Sequence, residues 1–538
     1  MNPSQQPFSM PMFRAFVPKR MRPWIYVLQA YCFQLSGCVY LGALQEMMGE
    51  RSLMREDLTM CLYSNLAGMA IYFPVLFRMK FRFTNRSLLI ASALVLALCN
   101  WLFTHTTFLP LMWVLCFVAG MAKIQGTFEN MSNIQLWLTP TRDMGVFFPC
   151  LHVVLLVSIE LQAWYAAFFA HHLHWVASHW FVIGLMMLVV AIQLLLTRPW
   201  CPMPERMPLR GIDWLGAAFW SLLGLQLAYI FNYGDWLDWW HSPTIRILTG
   251  TSLITLGGCL HRMWTKRHPY FEPKMWTYRH LIPLLLIIAL VEALLASEHV
   301  LEEVFYEEVM HYEATTSYAL TLWAIPGMLA GCLLSWLWLV RWRLNVYKLI
   351  AIGLLGIVCY AAGYYFLVSV HINIEALRLP IACRGFGYAV LSIALMWSLH
   401  EIMTFDHFFQ SLAVFNFMHM YIGGVIGGAL FAWGLRYYMA DNILRYTAYV
   451  DLPAFSAMPF DVGQWMDTFI ASMMAVSIKQ LYGWVVYASF FFALGFLLWD
   501  IPSVRRRTRK FPSWVVVGVR MMARQGRRSV VQFPRGKS

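Results

Sequence analysis

The chain has 538 residues, of which 60% are hydrophobic and only 12% are charged, and its mean hydropathy is +0.58. Soluble domains carry about 25% charged residues, so this composition excludes a soluble enzyme, a disordered chain and a fibrous protein. Apolar runs of about 20 residues recur along the whole chain without polar–apolar alternation. The sequence therefore predicts an all-α polytopic membrane protein rather than a transmembrane barrel.

Fourteen apolar runs are each long enough for a transmembrane helix. They lie near residues 24–45, 58–77, 87–104, 110–137, 144–170, 179–197, 213–232, 244–263, 279–298, 315–340, 347–369, 376–399, 407–434 and 481–499. The segment before the first run is too polar for the apolar core of a signal peptide, so the first span is expected to stay in the protein.

Basic residues orient these spans. If the N-terminus is cytoplasmic, the loops and termini on that side hold 31 Lys and Arg, the opposite side holds seven, and two fall within spans. The positive-inside rule then predicts an even number of spans with both termini in the cytoplasm. Six glutamates between residues 298 and 313 crowd one predicted outside loop, which we interpret as a solvated acidic face.

The predicted organisation has six segments. These are a cytoplasmic N-terminus (1–23), a six-helix bundle (24–197), a proline-rich cytoplasmic linker (198–212), two extra central helices (213–263), a second six-helix bundle (279–499) and a basic cytoplasmic tail (500–538). Residues 501–538 hold eleven Lys and Arg and no acid. Because this tail follows directly on the last apolar run, we expect it to bind membrane lipids and not nucleic acid.

Motifs for metal, cofactor or hydrolytic chemistry are missing from the sequence. The eleven cysteines form no CxxC pair, and no Walker loop, GxSxG or HExxH occurs. His171, His172 and His174 are spaced one to three residues apart, which suits a solvated cluster better than a metal site. We therefore expect no cofactor, no bound metal and no enzymatic activity.

Several segments resemble the major facilitator superfamily, in particular its fourteen-helix drug:proton antiporter branch (EmrB/QacA-like). The matching segments are Asp213-Trp-Leu-Gly216, Gly224-Leu225, Gly234, Asp238-Trp239-Trp240-His241-Ser242-Pro243, Asn416-Phe417 with Gly423-Gly424 and Gly427-Gly428, Lys123-Ile-Gln125-Gly126, and Arg384-Gly385-Phe386-Gly387. They follow the order of the family and extend over most of the chain.

The sequence also departs from the pattern of that branch. Phe81 stands where the loop after the second span has an Asp, and Ser36 stands near the position of the acid in the first span. In span 5 the Gly-Pro pattern of the antiporters falls on Gln162 to Ala167. The resemblance implies a major facilitator fold, with two six-helix bundles and two extra central helices, while these departures weaken the implied drug:proton antiport.

The resemblance further implies a secondary transporter in the bacterial inner membrane that works by alternating access. Its substrates would be amphipathic organic compounds, exported in exchange for protons and bound near the midplane. Many relatives work with a periplasmic adaptor and an outer-membrane channel, which are therefore candidate partners.

Ionisable side chains inside the predicted spans are the candidates for proton coupling, since a charge at membrane depth usually faces a cavity or a partner. Glu129 is the first candidate and Glu292 the second, with Lys123 stabilising ionised Glu129 in one state. Glu160 is the third and is expected at a helix contact. The alternative for all of them is a structural ion pair between helices.

Four polar residues in the spans are candidates for substrate binding: Gln125, Asn130, Arg384 and Asn416. The amides could instead join helices through hydrogen bonds, and Arg384 is expected to serve packing and pairing as well. Two other functions stay open. One is a transport-inactive sensor or scaffold with the same fold, and the other is a membrane-embedded transferase using His or Glu.

Overall fold

The computed structural model describes residues 13–37, 42–139, 143–198, 209, 211–448 and 462–498. These residues are almost entirely helical, and the one β-bridge among them joins Phe13 to Thr197. The basic tail and most of the predicted linker lie outside the described residues, so their expected roles stay predictions.

The first half of the chain contains seven helices, and a two-helix hairpin follows them. They are α1 (Arg22–Gln34), α2 (Leu44–Arg51), α3 (Arg55–Lys80), α4 (Asn85–His105), α5 (Leu109–Leu138), α6 (Met144–His172), α7 (Trp175–Leu196), α8 (Trp214–Tyr233) and α9 (Pro243–Thr265).

The second half contains six long helices, three of which include wide π turns. They are α10 (Leu281–Leu295, continuing through π turns at Glu298–Glu302 and Phe305–Val309), α11 (Ala314–Trp342, with π turns over Leu337–Trp342), α12 (Val346–Leu367), α13 (Arg378–Ile402), α14 (Phe405–Met418, π turns over His419–Gly427, then Gly428–Thr447) and α15 (Val462–Leu498).

Polar side chains fix several helix starts. Thr84 accepts a hydrogen bond from the Ser87 N–H before α4, Asp143 from the Gly145 N–H before α6, and Asn345 from the Tyr347 N–H before α12. Such caps satisfy backbone donors that have no partner within the helix. Each therefore ends the preceding loop at a defined residue.

The two halves repeat the same helix pairings. In the first half α5 packs against α1, α3 and α4, and α4 packs against α7. In the second half α13 packs against α10, α11 and α12, and α12 packs against α15. The two halves thus form an internal structural repeat, although no repeat is recognisable in the sequence.

Glycines allow the closest of these pairings in both halves. A methyl group on Gly120 of α5 would overlap the Asn65 carbonyl of α3, and one on Gly385 of α13 would overlap the Ala324 carbonyl of α11. Small residues let two helix backbones approach until they touch, which is a common way to pack helices inside a membrane.

Contacts between long helices join the halves directly. Helix α3 packs against α14, and α6 packs against α11 and α13. The hairpin α8–α9 lies beside the first of these contacts, because α8 touches both α3 and the π turns of α14. Helix α9 packs mainly on α8.

Twelve helices in the described part of the chain are long and apolar enough to cross a membrane. The predicted count of fourteen is not confirmed. Span 8 corresponds to α9, a helix of 23 residues that carries Arg246, His261 and Arg262 and is not among the twelve. Span 1 differs more, because α1 ends at Gln34 and the next described helix, α2, begins near Leu44.

The last two helices are longer than the sequence predicts. Residues 436–480 were expected to form an outside stretch, but α14 runs to Thr447 and α15 starts at Val462. Asn442 donates hydrogen bonds to Ser477 Oγ (2.9 Å) and Gln480 Oε1 (3.1 Å), which joins the two extensions. Helix pairing through polar side chains replaces the expected loop.

Candidate functional site

Arg384 of α13 lies at the junction of the two halves, and its side chain is 2% exposed. Its guanidinium contacts Glu160 of α6 (Nη2 to Oε1, 3.3 Å), and it also contacts two glutamates of α10. These are Glu298 (Nη1 to Oε1, 3.0 Å) and Glu302 (Nη1 to Oε2, 2.8 Å). We call Arg384, Glu160, Glu298 and Glu302 the arginine cluster.

The arginine cluster joins a carboxyl group of the first half to a guanidinium of the second half. Three carboxyl groups surround one guanidinium, so full ionisation would leave a net charge of −2, with Glu160 and Glu302 buried and Glu298 partly exposed. Charges at membrane depth are costly unless they are paired or neutralised. The cluster therefore holds more carboxyl groups than its one guanidinium can neutralise.

A second ion pair joins the halves close by. Arg55, at the first turn of α3, pairs with Glu303 of α10. Glu302 and Glu303 are neighbours in the wide turns of α10, yet they pair with different arginines. We call the end of the molecule at which α3 begins the Arg55 end, and the opposite end the Lys80 end.

Glu292, one turn before the wide turns of α10, pairs with a histidine of α14. The Glu292 Oε2 and His419 Nδ1 atoms are 2.7 Å apart. The His419 side chain is 40% exposed although it lies in the middle of a long helix, while Glu292 is almost inaccessible. The pair therefore has one buried partner and one accessible partner.

Glu129 of α5 is fully buried and has several polar partners toward the Lys80 end. It pairs with Lys80 Nζ (3.3 Å) and accepts hydrogen bonds from Asn85 Nδ2 (2.5 Å) and Gln125 Nε2 (3.1 Å). Lys80 also donates to Ser132. These contacts hold the end of α3 and the start of α4 on α5.

Lys123 takes a different position from the one expected beside Glu129. Its ammonium group lies where a side chain on Gly37 would begin, next to the Gln162 amide oxygen of α6. The cation that contacts Glu129 is Lys80, which sequence reasoning did not name.

The predicted substrate-binding amides hydrogen-bond mainly within their own helices. Asn130 Nδ2 donates to the Gly126 carbonyl (3.0 Å), and Asn416 Nδ2 donates to the Leu412 carbonyl (2.8 Å). Gln125 orients Glu129, as described above. Arg384, the fourth candidate, has carboxylate partners from both halves, in agreement with the expected pairing.

Aromatic contacts join the halves at the Lys80 end. The rings of Phe77 on α3 and Phe409 on α14 are 4.1 Å apart, centre to centre. The rings of Phe148 on α6 and His400 on α13 are 5.8 Å apart. Aromatic rings thus contribute to the contact between the halves at this end.

Similar architectures occur among solved transporters. A peptide transporter of the POT family in complex with sulfate superposes with a TM-score of 0.57 and 12% identity, over 92% of this chain and 97% of its own. The human organic anion transporter MFSD10 (TETRAN) gives 0.52 and 10%, over 89% and 100%. A single-residue mutant of the nucleoside transporter NupG gives 0.51 and 11%, over 88% and 98%.

The chain has the major facilitator fold. It is an integral membrane protein built from the two repeated bundles of that fold, with the hairpin α8–α9 between them along the chain. No protein-family model and no curated protein matches the sequence. The drug:proton antiporter branch is thus a matter of resemblance alone.

The arginine cluster and the Arg55 pair contain three residues that sequence reasoning missed: Glu298, Glu302 and Glu303. The prediction placed them in a solvated outside loop, which is wrong, because α10 continues as wide helical turns to Val309 and Glu302 is 3% exposed. A signal was present in the spacing of Glu298 and Glu302, since residues four apart share a helix face.

Asp213, which precedes α8, closes the base of the hairpin outside the spans. It accepts a hydrogen bond from the Gly216 N–H (3.0 Å) and pairs with Arg262 near the end of α9. Burial alone would raise the pKa of Asp213, but the hydrogen bonds from Arg262 and Gly216 and the charges of Arg262 and Lys266 hold it below the usual value.

Proposed function

We propose that the protein is a secondary transporter that moves small amphipathic organic molecules across the membrane by alternating access, with protons as the coupling ion. The observation that carries this proposal is the contact of Arg384 with carboxyl groups of both bundles. In a fold whose bundles move relative to each other, such a contact links proton binding to the position of the bundles.

Glu160 is the carboxyl group through which a proton would act on the bundles. When Glu160 is ionised, its attraction to Arg384 holds α6 against α13. When Glu160 takes up a proton, Arg384 keeps Glu298 and Glu302 in its own bundle and loses its charged partner in the other. Protonation therefore favours opening at the Arg55 end.

The contacts change the order of the proposed proton-coupling residues. Glu129 is held by a lysine and two amides of its own bundle, which supports a structural role. Glu292 faces an accessible histidine, which supports a role near the substrate path. We place Glu160 and Glu302 first, Glu292 second and Glu129 last.

The substrate class comes from the resemblance in sequence and not from the structural neighbours. Those neighbours are described as carriers of peptides, organic anions and nucleosides, so a shared fold does not select one substrate. Accessible His419, which pairs with buried Glu292, is the described side chain best placed to meet a substrate. We also propose that the protein exports its substrate, that it lies in a bacterial inner membrane and that both of its termini are cytoplasmic.

The competing proposal is a sensor or scaffold without transport. The lost Asp at Phe81 and the lost Gly-Pro pattern in α6 favour it. Flux through purified protein separates the two, since a scaffold should pass no substrate in either direction. An adaptor and an outer-membrane channel are not required for that measurement, because the fold spans one membrane by itself.

The test is transport by protein reconstituted in liposomes with an imposed pH gradient. Glu160→Gln should abolish gradient-driven flux and retain substrate exchange, because the amide has nearly the shape of the carboxyl group and cannot lose a proton. Glu375→Gln is the matched control, since that glutamate is exposed and pairs only with Arg378 on its own turn. Wild-type gradient-driven flux in Glu160→Gln would contradict the proposal.

A further inference from the structure

Four tyrosines with buried rings lie around Glu302. They come from three helices: Tyr306 of α10, Tyr360 and Tyr364 of α12, and Tyr482 of α15. We propose that two pairs of these hydroxyls act as positioning groups that keep Glu302 hydrogen-bonded in both of its protonation states. The inference rests on the proposed function, in which Glu302 belongs to the proton site.

The first pair begins at the carboxyl group. The Tyr306 hydroxyl donates to Glu302 Oε2 (3.4 Å) and is also hydrogen-bonded to the Tyr364 hydroxyl. Tyr306 lies one helical turn beyond Glu302 in the wide turns of α10. The chain Tyr364–Tyr306–Glu302 therefore ties those turns to α12.

The second pair reaches the same carboxyl group from α15. The hydroxyls of Tyr360 and Tyr482 are 3.1 Å apart, and Tyr360 also approaches the Glu302 carboxyl group. The rings of Tyr364 and Tyr482 are stacked 5.0 Å apart, so the two pairs form one packed group. One chain of hydroxyls thus ends in a hydrogen bond to Glu302, and the other lies beside the same carboxyl group.

A phenol hydroxyl can donate and accept, whereas an ionised carboxylate only accepts and a protonated one also donates. With Glu302 ionised, both chains point their O–H bonds toward it. With Glu302 protonated, rotation of the hydroxyls in one chain lets that chain accept the new proton. The buried carboxyl group then has a partner in either state, which a buried polar group requires.

A purely apolar packing role does not explain four hydroxyls in this position. Phe305, the neighbour of Tyr306, is buried against Tyr364 without any hydroxyl, so the site accepts phenylalanine rings. The charged groups that face Glu302 are Arg384 from α13, Glu160 from α6 and Glu298 from its own helix. The tyrosine hydroxyls are the neutral polar groups around the same carboxyl group.

The test reads the protonation of Glu302 itself, by infrared difference spectroscopy of the full-length protein as the pH is changed. The band lost in Glu302→Gln identifies its protonated carbonyl. In Tyr306→Phe and in Tyr360→Phe, we expect the titration midpoint of this band to move up by about one pH unit, because the ionised form loses a donor. The band should also move to higher frequency.

Tyr365→Phe is the matched control, because Tyr365 is the exposed neighbour of Tyr364 and should leave the band unchanged. An unchanged midpoint and frequency in both Tyr306→Phe and Tyr360→Phe would overturn the inference, as would a wild-type protein in which no band is lost in Glu302→Gln. The spectrum needs no transport. If the protein showed no pH-driven flux, the proposed function would be contradicted. The infrared band would still show whether the tyrosines position Glu302.

Discussion

Arg384 neutralises carboxyl groups from both bundles, so its removal affects the molecule more than that of an ordinary buried residue. Without the guanidinium, Glu160, Glu298 and Glu302 would repel one another in a position that water barely reaches. Removing one partner of a buried ion pair costs about 3–5 kcal/mol, chiefly because the remaining charge is left uncompensated.

Arg384→Ala should therefore lower the free energy of unfolding by about 3 kcal/mol or more at neutral pH. The loss should shrink at acidic pH, where protonation neutralises the three carboxyl groups. Thermal unfolding of the purified protein in detergent at two pH values measures both effects. Arg378→Ala is the control on the same helix, since its exposed pair with Glu375 should contribute about 1 kcal/mol at most. Equal effects of the two substitutions would contradict this account.

Unlike Glu160, Glu129 is expected to matter for stability and not for proton coupling. Its partners Lys80 and Asn85 hold the turn between α3 and α4, so Glu129→Gln should destabilise the protein and preserve pH-driven transport. Exchanging Lys80 for Met in the Glu129→Gln background should recover part of the stability, because no unpaired charge then stays buried. Melting temperature and flux are the measurements. A stable Glu129→Gln protein that had lost proton coupling would restore Glu129 to the coupling role.

Some of the residue-scale picture was predictable from sequence and some was not. An arginine and several glutamates inside apolar runs predict buried ion pairs, since unpaired charges are rare in the membrane interior. Their partners were not predictable, because Glu160 and Arg384 are 224 positions apart and only the packing of α6 on α11 and α13 brings them together. Lys80 was not predicted as a partner because it lies just after a predicted span, where a lysine is expected in a solvent-exposed loop.

At the scale of elements, apolar run length predicted where most helices lie, and the failures have a common physical cause. Helices α10, α14 and α15 continue beyond their apolar runs, because polar side chains there find partners on neighbouring helices. Glu302 and Glu303 of α10 pair with different arginines, because adjacent residues of a helix point in different directions. The length of an apolar run reports how much of a helix can contact lipid. It does not report how far the helix continues through polar residues that pair with other helices.

The glycine contact between α11 and α13 predicts a specific sensitivity. Gly385→Val should separate these helices, since the new side chain would meet the Ala324 backbone, and overpacking of this kind costs about 1–3 kcal/mol. Gly495→Val on α15 is the control, because no atom lies within 4 Å of the position its side chain would take. Thermal unfolding compares them. Equal melting temperatures of the two variants would show that α13 can move away from α11 without loss of stability, which would contradict the prediction.

The hairpin α8–α9 should respond to acid through Asp213. Because its pKa is lowered in the folded protein, the ion pair with Arg262 stabilises the hairpin above the usual aspartate pKa of about 4, and this contribution disappears as the pH falls through the folded value. Asp213→Asn should therefore be less stable than wild type at pH 7, and the difference in melting temperature should shrink as the pH is lowered below about 4. A difference that stayed constant down to the lowest pH at which the protein remains folded would assign the effect to packing.

At the scale of the whole molecule, the described structure has contacts between the bundles at both ends. Arg55 and Glu303 pair at one end, and Phe77 and Phe409 pack at the other. Access from either side requires one of these contacts to open. The Arg55–Glu303 contact contains a titratable carboxyl group, so pH should change the contact at the Arg55 end.

The central claim is that protonation of Glu160 releases its bundle from Arg384. The most direct measurement is the pulsed electron-resonance distance between spin labels at Thr107 and His371, exposed positions on the first and second bundles toward the Arg55 end. The accessible Cys150 and Cys359 are replaced by serine, as are Cys38 and Cys201, which lie outside the described residues. We predict that the distance lengthens in wild type between pH 8 and pH 5, and that Glu160→Gln shows the long distance at both pH values. A wild-type distance independent of pH, or a Glu160→Gln distance that still changes with pH as in wild type, would contradict the account.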